Sequence, residues 1–478
     1  MPVQQRAHAI VVGGGISGLC AARALSPHFE RVTLIERDRL PPRSEHRAGV
    51  PQSHHVHALL LRGLLELERL FPGIERELIE AGATRVDLGT EVAHCTEWGW
   101  APRVHSLAIA PLTMSRLLIE SVIRARVRRE LPNLTLLENL RVSGLASKTQ
   151  DNRLCVTGVY IACGEMRKLA ADLVVDASGR NSKCLEWLAR AGVTPPPEEL
   201  VDGHAGYASR FYQLAPNEAR WWRGMVIDAK APMLPRWALL MPIEHGGTVL
   251  TLGGINRDYP PSDEAAFLTY LRSLLSPELA NEIARATPTS EIRTHRALEN
   301  RARHYERWPE QVAGFVALGD SAIAFNASHG QGMSMAAVSA NVLSDLLASS
   351  LHLEPQAFAR RFQSEQWKKL KSAWLMATSL DLIWPGTTGK RPWSYGLQLA
   401  MSTAVVRAAH DDAVVKRMIG RVYQLLAEPT SLLLRPDFLC RVLSAELRRR
   451  LGRSLELPAT TELARCMNDG ASSEHSAR

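Results

Sequence analysis

Three separated stretches of this chain join an apolar run to glycine and an acid, and that combination can hold an anionic ligand. In the first, Ala9, Ile10, Val11 and Val12 lead into Gly13, Gly14, Gly15, Ile16, Ser17 and Gly18, and a second apolar run ends at Glu36 and Arg37. Gly13 permits a tight turn, Gly15 lets the backbone approach a pyrophosphate, and Gly18 lets the following helix press onto the strand. Ile16 and Ser17 open that helix, whose unpaired N–H groups and positive end face a diphosphate. Glu36 lies 18 positions after Gly18. That is near the spacing of roughly 20 at which a carboxylate takes ribose hydroxyls. Strand, turn, helix and acid agree on a dinucleotide; the plainer alternative is a tight turn in an ordinary doubly wound sheet. The motif alone leaves NAD and FAD open.

The second stretch runs from Asp172 through Leu173, Val174, Val175 and Asp176 to Gly179 and Arg180, a buried strand stopped by a small-residue turn. The third is an apolar strand from Val312 tipped by Gly319 and Asp320. After Phe325, Asn326 and His329 come Gly330, Gln331, Gly332 and Met333, opening a small-residue helix that can offer N–H groups to an electron-rich ring oxygen. His54, His55 and His57 invite a metal reading, but helical ligand pairs prefer i, i+4 spacing and no further ligand stands beside them. No metal site is expected; a helix start lined with imidazoles beside a ligand is. Trp98, Trp100, Tyr207, Phe211, Trp237 and Met241 are candidate walls of an apolar pocket, with simple packing as the alternative.

These residues need a frame. The pattern predicts a Rossmann-like α/β nucleotide domain of the glutathione-reductase type, an inserted antiparallel-sheet substrate domain and a helical C-terminal region. The expected divisions are 1–83, 112–195 and 293–345 for the nucleotide domain, 84–111 and 196–292 for the substrate domain, 346–460 for the helical region, and a disordered tail at 461–478. A helix is expected from residue 58 to 81 and another from Leu112; residues 150–152 read as a hairpin turn, as do 244–247. With 478 residues and 46% hydrophobic content the chain can bury large cores. The net charge of +8 is spread along the chain, with Arg448, Arg449 and Arg450 densest, and that cluster reads as a solvated helix face, with nucleic-acid or anionic-membrane contact as the alternative. Seven scattered cysteines with no CxxC fit a reducing cytoplasm, a core strand begun within eight residues leaves no room for a signal peptide, and no apolar run approaches 18 residues, so no membrane span is expected.

Together the three motifs resemble the FAD-dependent monooxygenases of the para-hydroxybenzoate hydroxylase type, a superfamily that also holds geranylgeranyl reductases and flavin halogenases. The run from Arg47 to Gln52 with His55 and His57, the run 259–264, and Phe325, Asn326 and 330–334 look most like a bacterial branch containing epoxidases of polyether and polyketide biosynthesis. The resemblance extends to about residue 450. It implies that Glu36 holds the adenosine ribose and that Arg37, Arg47 and Arg116 lie along adenosine, pyrophosphate and ribityl. Val142 meets the adenine, Asp320 binds ribityl hydroxyls, and the backbone around Gly330, Gly332 and Met333 faces the flavin pyrimidine edge. Asp176 and Gly179 belong to a motif serving FAD and NADPH; the family's usual Asp-Gly is here Asp176-Ala-Ser-Gly179, and a frequent histidine is Ile323.

The resemblance implies O2 activated as a flavin C4a-hydroperoxide and one oxygen atom inserted into a hydrophobic natural-product intermediate, by epoxidation of a polyketide olefin. NADPH or NADH is the reductant, acting directly or through a partner flavin reductase. His329 is the one candidate proton donor. The competing readings are an aromatic hydroxylase, an olefin reductase, a halogenase, disfavoured because the WxWxIP signature is only partly mimicked by residues 98–102, and a flavin-binding protein without turnover.

Overall fold

The computed structural model describes residues 6–150, 153–163, 165–296, 298–310, 312–349 and 354–451; the expected tail at 461–478 lies outside them. Its first layer is a five-stranded parallel sheet in the order Phe315–Ala317, Leu173–Asp176, Arg6–Val12, Phe29–Ile35, Leu134–Leu137. The β-branched and aliphatic residues of these strands are covered on both faces, as a parallel sheet requires. Helices Ile16–Leu25, Leu61–Leu70, Arg116–Glu130 and Gly332–Ser349 feed one core. The hairpin Arg141–Gln150 and Arg153–Cys163, with helix Pro355–Leu382, closes the other.

Register decides where the chemistry falls. Val12 is level with both Ile35 and Asp176, and Asp176 with Ala317. The glycine turn, Glu36, the 177–180 turn and Gly319-Asp320 therefore leave the sheet at one edge, the carboxyl edge at which open α/β sheets bind ligands. Two glycines make the edge compact. Gly13 has φ +102°, and a Cβ on Gly18 would lie 1.8 Å from the Gly13 carbonyl oxygen, so the helix sits on the turn with no room for alanine.

The second layer is an eight-stranded sheet, Thr287–Pro288, Gly206–Gln213, Thr248–Gly254, Arg236–Pro242, Gly224–Ile227, Val92–Thr96 and Gly99–Trp100, with Arg293–His295 added beside Gly206–Gln213. Its pairs are antiparallel except Gly224–Ile227 with Val92–Thr96. One face packs on Glu264–Arg272 and Glu278–Ile283 through Phe267, Leu271 and Leu279; the other turns toward the parallel sheet's edge. A helical layer from Tyr395–Asp411 to Pro436–Arg450 follows.

Three local expectations differ. Residues 58–81 form not one helix but a short strand, Ala58–Leu59, and two helices, Leu61–Leu70 and Ile74–Glu80, because Pro72 and Gly73, at φ +84°, break the periodicity. Leu112–Thr113 is a strand, and the helix starts at Arg116, where the Ser115 side chain caps the Leu118 N–H. The histidine stretch is a single 3₁₀ turn, Pro51–His54, followed by extended chain.

Gly18→Ala is expected to cost about 3 kcal/mol or more, since the clash is with backbone and cannot be relieved by a rotamer. Chemical denaturation of purified wild type and variant checks it.

Candidate functional site

The first helix begins with no side-chain cap and no acid in its first turn, so its leading N–H groups keep their capacity for an anion. Gly319, at φ +66°, brings the third strand's tip against it: a Cβ there would meet Ser17 Oγ at 2.3 Å. Asp320 follows, within reach of the second glycine helix; a Cβ on Gly332 would stand 3.7 Å from its Oδ1. Two helix N-termini and one carboxylate thus converge. Burial pushes the Asp320 carboxyl up, against the opposing pull of the Arg180 and Arg116 guanidiniums. Among the described residues no hydrogen-bond donor is satisfied by it.

Glu36 is buried and accepts from the Gly14 N–H at 2.6 Å and the Asp38 N–H at 3.0 Å. Arg47 lies 3.4 Å from Glu36, donates to Asp38 and Glu120, and reaches the Gly14 carbonyl at 3.4 Å. Glu120 also draws in Arg116 at 3.0 Å and Arg124 at 3.8 Å, so one carboxylate aligns three guanidiniums beside the glycine turn. A small cleft opens among them, bounded by Val50 and Ser53. Arg37 instead points into solvent, 4.0 Å from Asp38. Val142 is buried under the strand end that carries Glu36, next to Leu140, whose N–H bonds the Glu36 carbonyl.

The Asp176 carboxylate is occupied by its own turn, accepting from the Ser178 N–H and hydroxyl and from Ser182 Oγ. Its place is to shape the loop in which Gly179 takes φ +86°. The residue sequence reasoning left without a role is Arg180. It donates to the carbonyls of Glu299 at 2.5 Å and Phe325 at 2.7 Å and bears electrostatically on Asp320 and Tyr207. Its position directly after Gly179 was the available signal.

Facing this edge, the second sheet presents Tyr207, Ser209 and Phe211 level with Gly253, Thr251 and Val249, and these level with Trp237, Leu239 and Met241. Alternation puts all nine on one face, so four of the six pocket candidates share a wall. Gly253 is what admits the indole: a Cβ there would lie 1.9 Å from Trp237 Cε2. Trp98 and Trp100 lie at the far edge of the sheet. Trp98 packs between His410 and Arg407, and Trp100 joins the opposite core. The histidine stretch crosses the shared wall, with His55 Nδ1 2.8 Å from Ser209 Oγ and its ring edge-on to Tyr207 at 4.4 Å. Burial pulls His55 down to about 3 and His57 down to about 4, with His295 adding to the first and Arg116 to the second. Both are neutral, weak bases. Burial raises the Tyr207 phenol.

At the mouth of the second glycine helix, His329 Nε2 lies 3.0 Å from Asp381 Oδ1. Asp381 comes from helix Pro355–Leu382 and also accepts from Asn300 Nδ2 at 2.6 Å and Asn326 Nδ2 at 3.0 Å. With Asp381 as acceptor the ring donates from Nε2, and in the neutral ring Nδ1 then carries the lone pair. Next to it Gln331 is fully buried with neither amide atom hydrogen-bonded, and Ser334 Oγ is buried without a partner. No group of three or more His, Cys, Asp or Glu is placed to hold a metal ion among the described residues.

Uncapped amides, aligned guanidiniums, a carboxylate at a strand tip and orphaned polar atoms at a second helix start form a donor set that fits a flavin dinucleotide. The comparisons agree. The family of FAD dependent oxidoreductases matches residues 9–193. Protein Rv3254 of Mycobacterium tuberculosis is 30% identical over 434 residues, 88% of this chain and 90% of that protein. The chain belongs to the FAD-dependent oxidoreductase family. Its fold is also that of p-nitrophenol 4-monooxygenase PnpA from Pseudomonas putida, at TM-score 0.63, 18% identity, and 89% and 99% coverage of the two chains. The flavin-dependent brominase Bmp2 matches at TM-score 0.60, 15% identity, with 86% and 94% covered.

Asp320→Ala is expected to weaken FAD binding by roughly ten- to a hundredfold through loss of a charged hydrogen bond, read by flavin fluorescence on titrating the apoprotein. The two depressed histidines set a pH dependence. Unfolding lets them take protons near their ordinary pKa, so their stability contribution is complete above about pH 6.5 and declines as pH falls toward about 4. Melting of His55→Gln and wild type across that window should show a loss of on the order of 2 kcal/mol in wild type that the variant does not share.

Proposed function

We propose that this chain is an FAD-dependent monooxygenase that inserts one oxygen atom from O2 into a hydrophobic small molecule, with an olefin of a polyketide-type intermediate as the group oxidised by epoxidation. Glu36, Arg47 and Arg116 would hold the adenosine and diphosphate against the first helix. Asp320 would take ribityl hydroxyls, and the Gly330–Met333 backbone the pyrimidine edge. FAD, when bound, supplies the electrons and the activation of O2. The protein's part is to keep the site dry and the substrate placed. Tyr207, Phe211, Trp237 and Met241 line an apolar wall suited to both. The reductant is NADPH or NADH, delivered directly or by a partner flavin reductase, since no second dinucleotide motif stands in the sequence.

The observation that carries the olefin reading is the chemistry of that wall. An alkene needs no proton removed, and the titratable groups there are poor at removing one: His55 and His57 are held as weak bases and Tyr207 is held protonated. His329 supports the second reading, hydroxylation of a phenol, because Asp381 leaves its Nδ1 lone pair available as a base. The likeness to a nitrophenol monooxygenase bears on the same choice only through the fold.

Incubation of the reduced holoenzyme with an unsaturated polyketide acid and with a phenol under ¹⁸O2 decides between them by product mass. The olefin is expected to gain one labelled oxygen, and His329→Gln to leave that yield within about twofold. A labelled phenol product lost about a hundredfold or more in His329→Gln assigns hydroxylation instead. A saturated olefin with no label removes oxygen chemistry altogether.

A further inference from the structure

The last helix, Pro436–Arg450, has two apolar faces. Phe438, Val442 and Ala445 turn inward onto Val415, Met418 and Leu432. A second face carries Leu439, Leu443, Leu447 and Leu451, one per turn, all exposed and Leu443 by 67%. At 3.6 residues per turn, Arg450 and Arg448 fall on either side of this stripe at its carboxyl end. The turn before the helix extends the apolar surface with Leu433 and Leu434, the latter 84% exposed. The antiparallel neighbour Tyr395–Asp411, tied on by Arg407 to Glu446 and Arg441 to Asp412, adds exposed Leu397 and Met401, and Trp393 ahead of it is 98% exposed.

Leucines on display normally face a partner or a lipid surface. Charge separates the two. Asp437 and Glu446, the acids of this helix, are already bound by Arg435 and by Arg449 and Arg450. A second copy would carry the same arginine-flanked stripe and has no unpaired acid on this helix to offer it. An anionic bilayer takes leucines at the acyl boundary and meets arginines with phosphate. No helix among the described residues is long and apolar enough to cross a membrane, so the geometry is that of a helix lying in the headgroup plane.

We propose that the Leu439–Leu443–Leu447–Leu451 stripe with its flanking arginines is a docking surface for anionic lipid. It stands apart from the flavin site and does not depend on the reaction proposed above.

The full-length holoprotein is sedimented with vesicles of phosphatidylcholine alone and of phosphatidylcholine with phosphatidylglycerol. Partition onto the anionic vesicles is expected to exceed that onto neutral ones at least tenfold and to fall as salt rises. Leu443→Glu with Leu447→Glu, and separately Arg448→Glu with Arg450→Glu, should each abolish the excess. All four side chains are exposed, so circular dichroism and flavin absorbance should stay at wild-type values. Absence of pelleting overturns the proposal, as does equal pelleting on both vesicle types. A concentration-dependent dimer in sedimentation velocity, dissolved by the leucine pair, overturns it in favour of self-association.

Discussion

The structure depends on two close approaches at one helix start, the seating of the first helix on its own glycine turn and the abutment of Gly319 on Ser17. Neither contact tolerates a β-carbon: the distances to the opposing atoms would be 1.8 Å and 2.3 Å. Because both hold, two helix N-termini point into the same crevice at the carboxyl edge of the parallel sheet, and Asp320 stands between their directions. Partial positive charge from the helix ends and the carboxylates of Glu36 and Asp320 then suit the two chemistries of a dinucleotide, phosphate and sugar.

The second sheet supplies what the nucleotide fold lacks, an apolar wall. Its strands alternate, so Tyr207, Phe211, Trp237 and Met241 come to one face while Ala208, Leu240 and Leu252 fill the core behind. Laying the 50–57 segment across this face costs the histidines their hydration, and their basicity falls as a result. Dryness and weak basicity are thus two consequences of the same packing. His329 sits outside that segment, its Nε2 bonded to Asp381 of helix Pro355–Leu382.

Much of this was legible in the chain. Motifs that depend on backbone sterics, such as Gly13 to Gly18 and Gly319-Asp320, can be read because glycine at such positions has no substitute. The parallel strands could be read from their continuous apolar runs, and the antiparallel sheet from its turns. What stayed hidden depends on partners far apart in sequence. Asp381 meets His329 across 52 positions and Asn300 across 81. Trp98 and Trp100 were assigned to the pocket by type alone, yet strand order carries them to the opposite edge. Arg37 and Arg47 looked alike as arginines after a strand; only the fold turns one into solvent and buries the other among Glu36, Asp38 and Glu120.

The account rests on a flavin dinucleotide in the crevice between the two sheets. The most direct measurement is titration of the flavin-free protein with FAD, FMN and NAD in parallel, followed by absorbance and calorimetry. One equivalent of FAD bound in clear preference to FMN and NAD, with the absorbance of enclosed flavin, is the predicted result. A protein that takes up no flavin, or that prefers NAD, would contradict it.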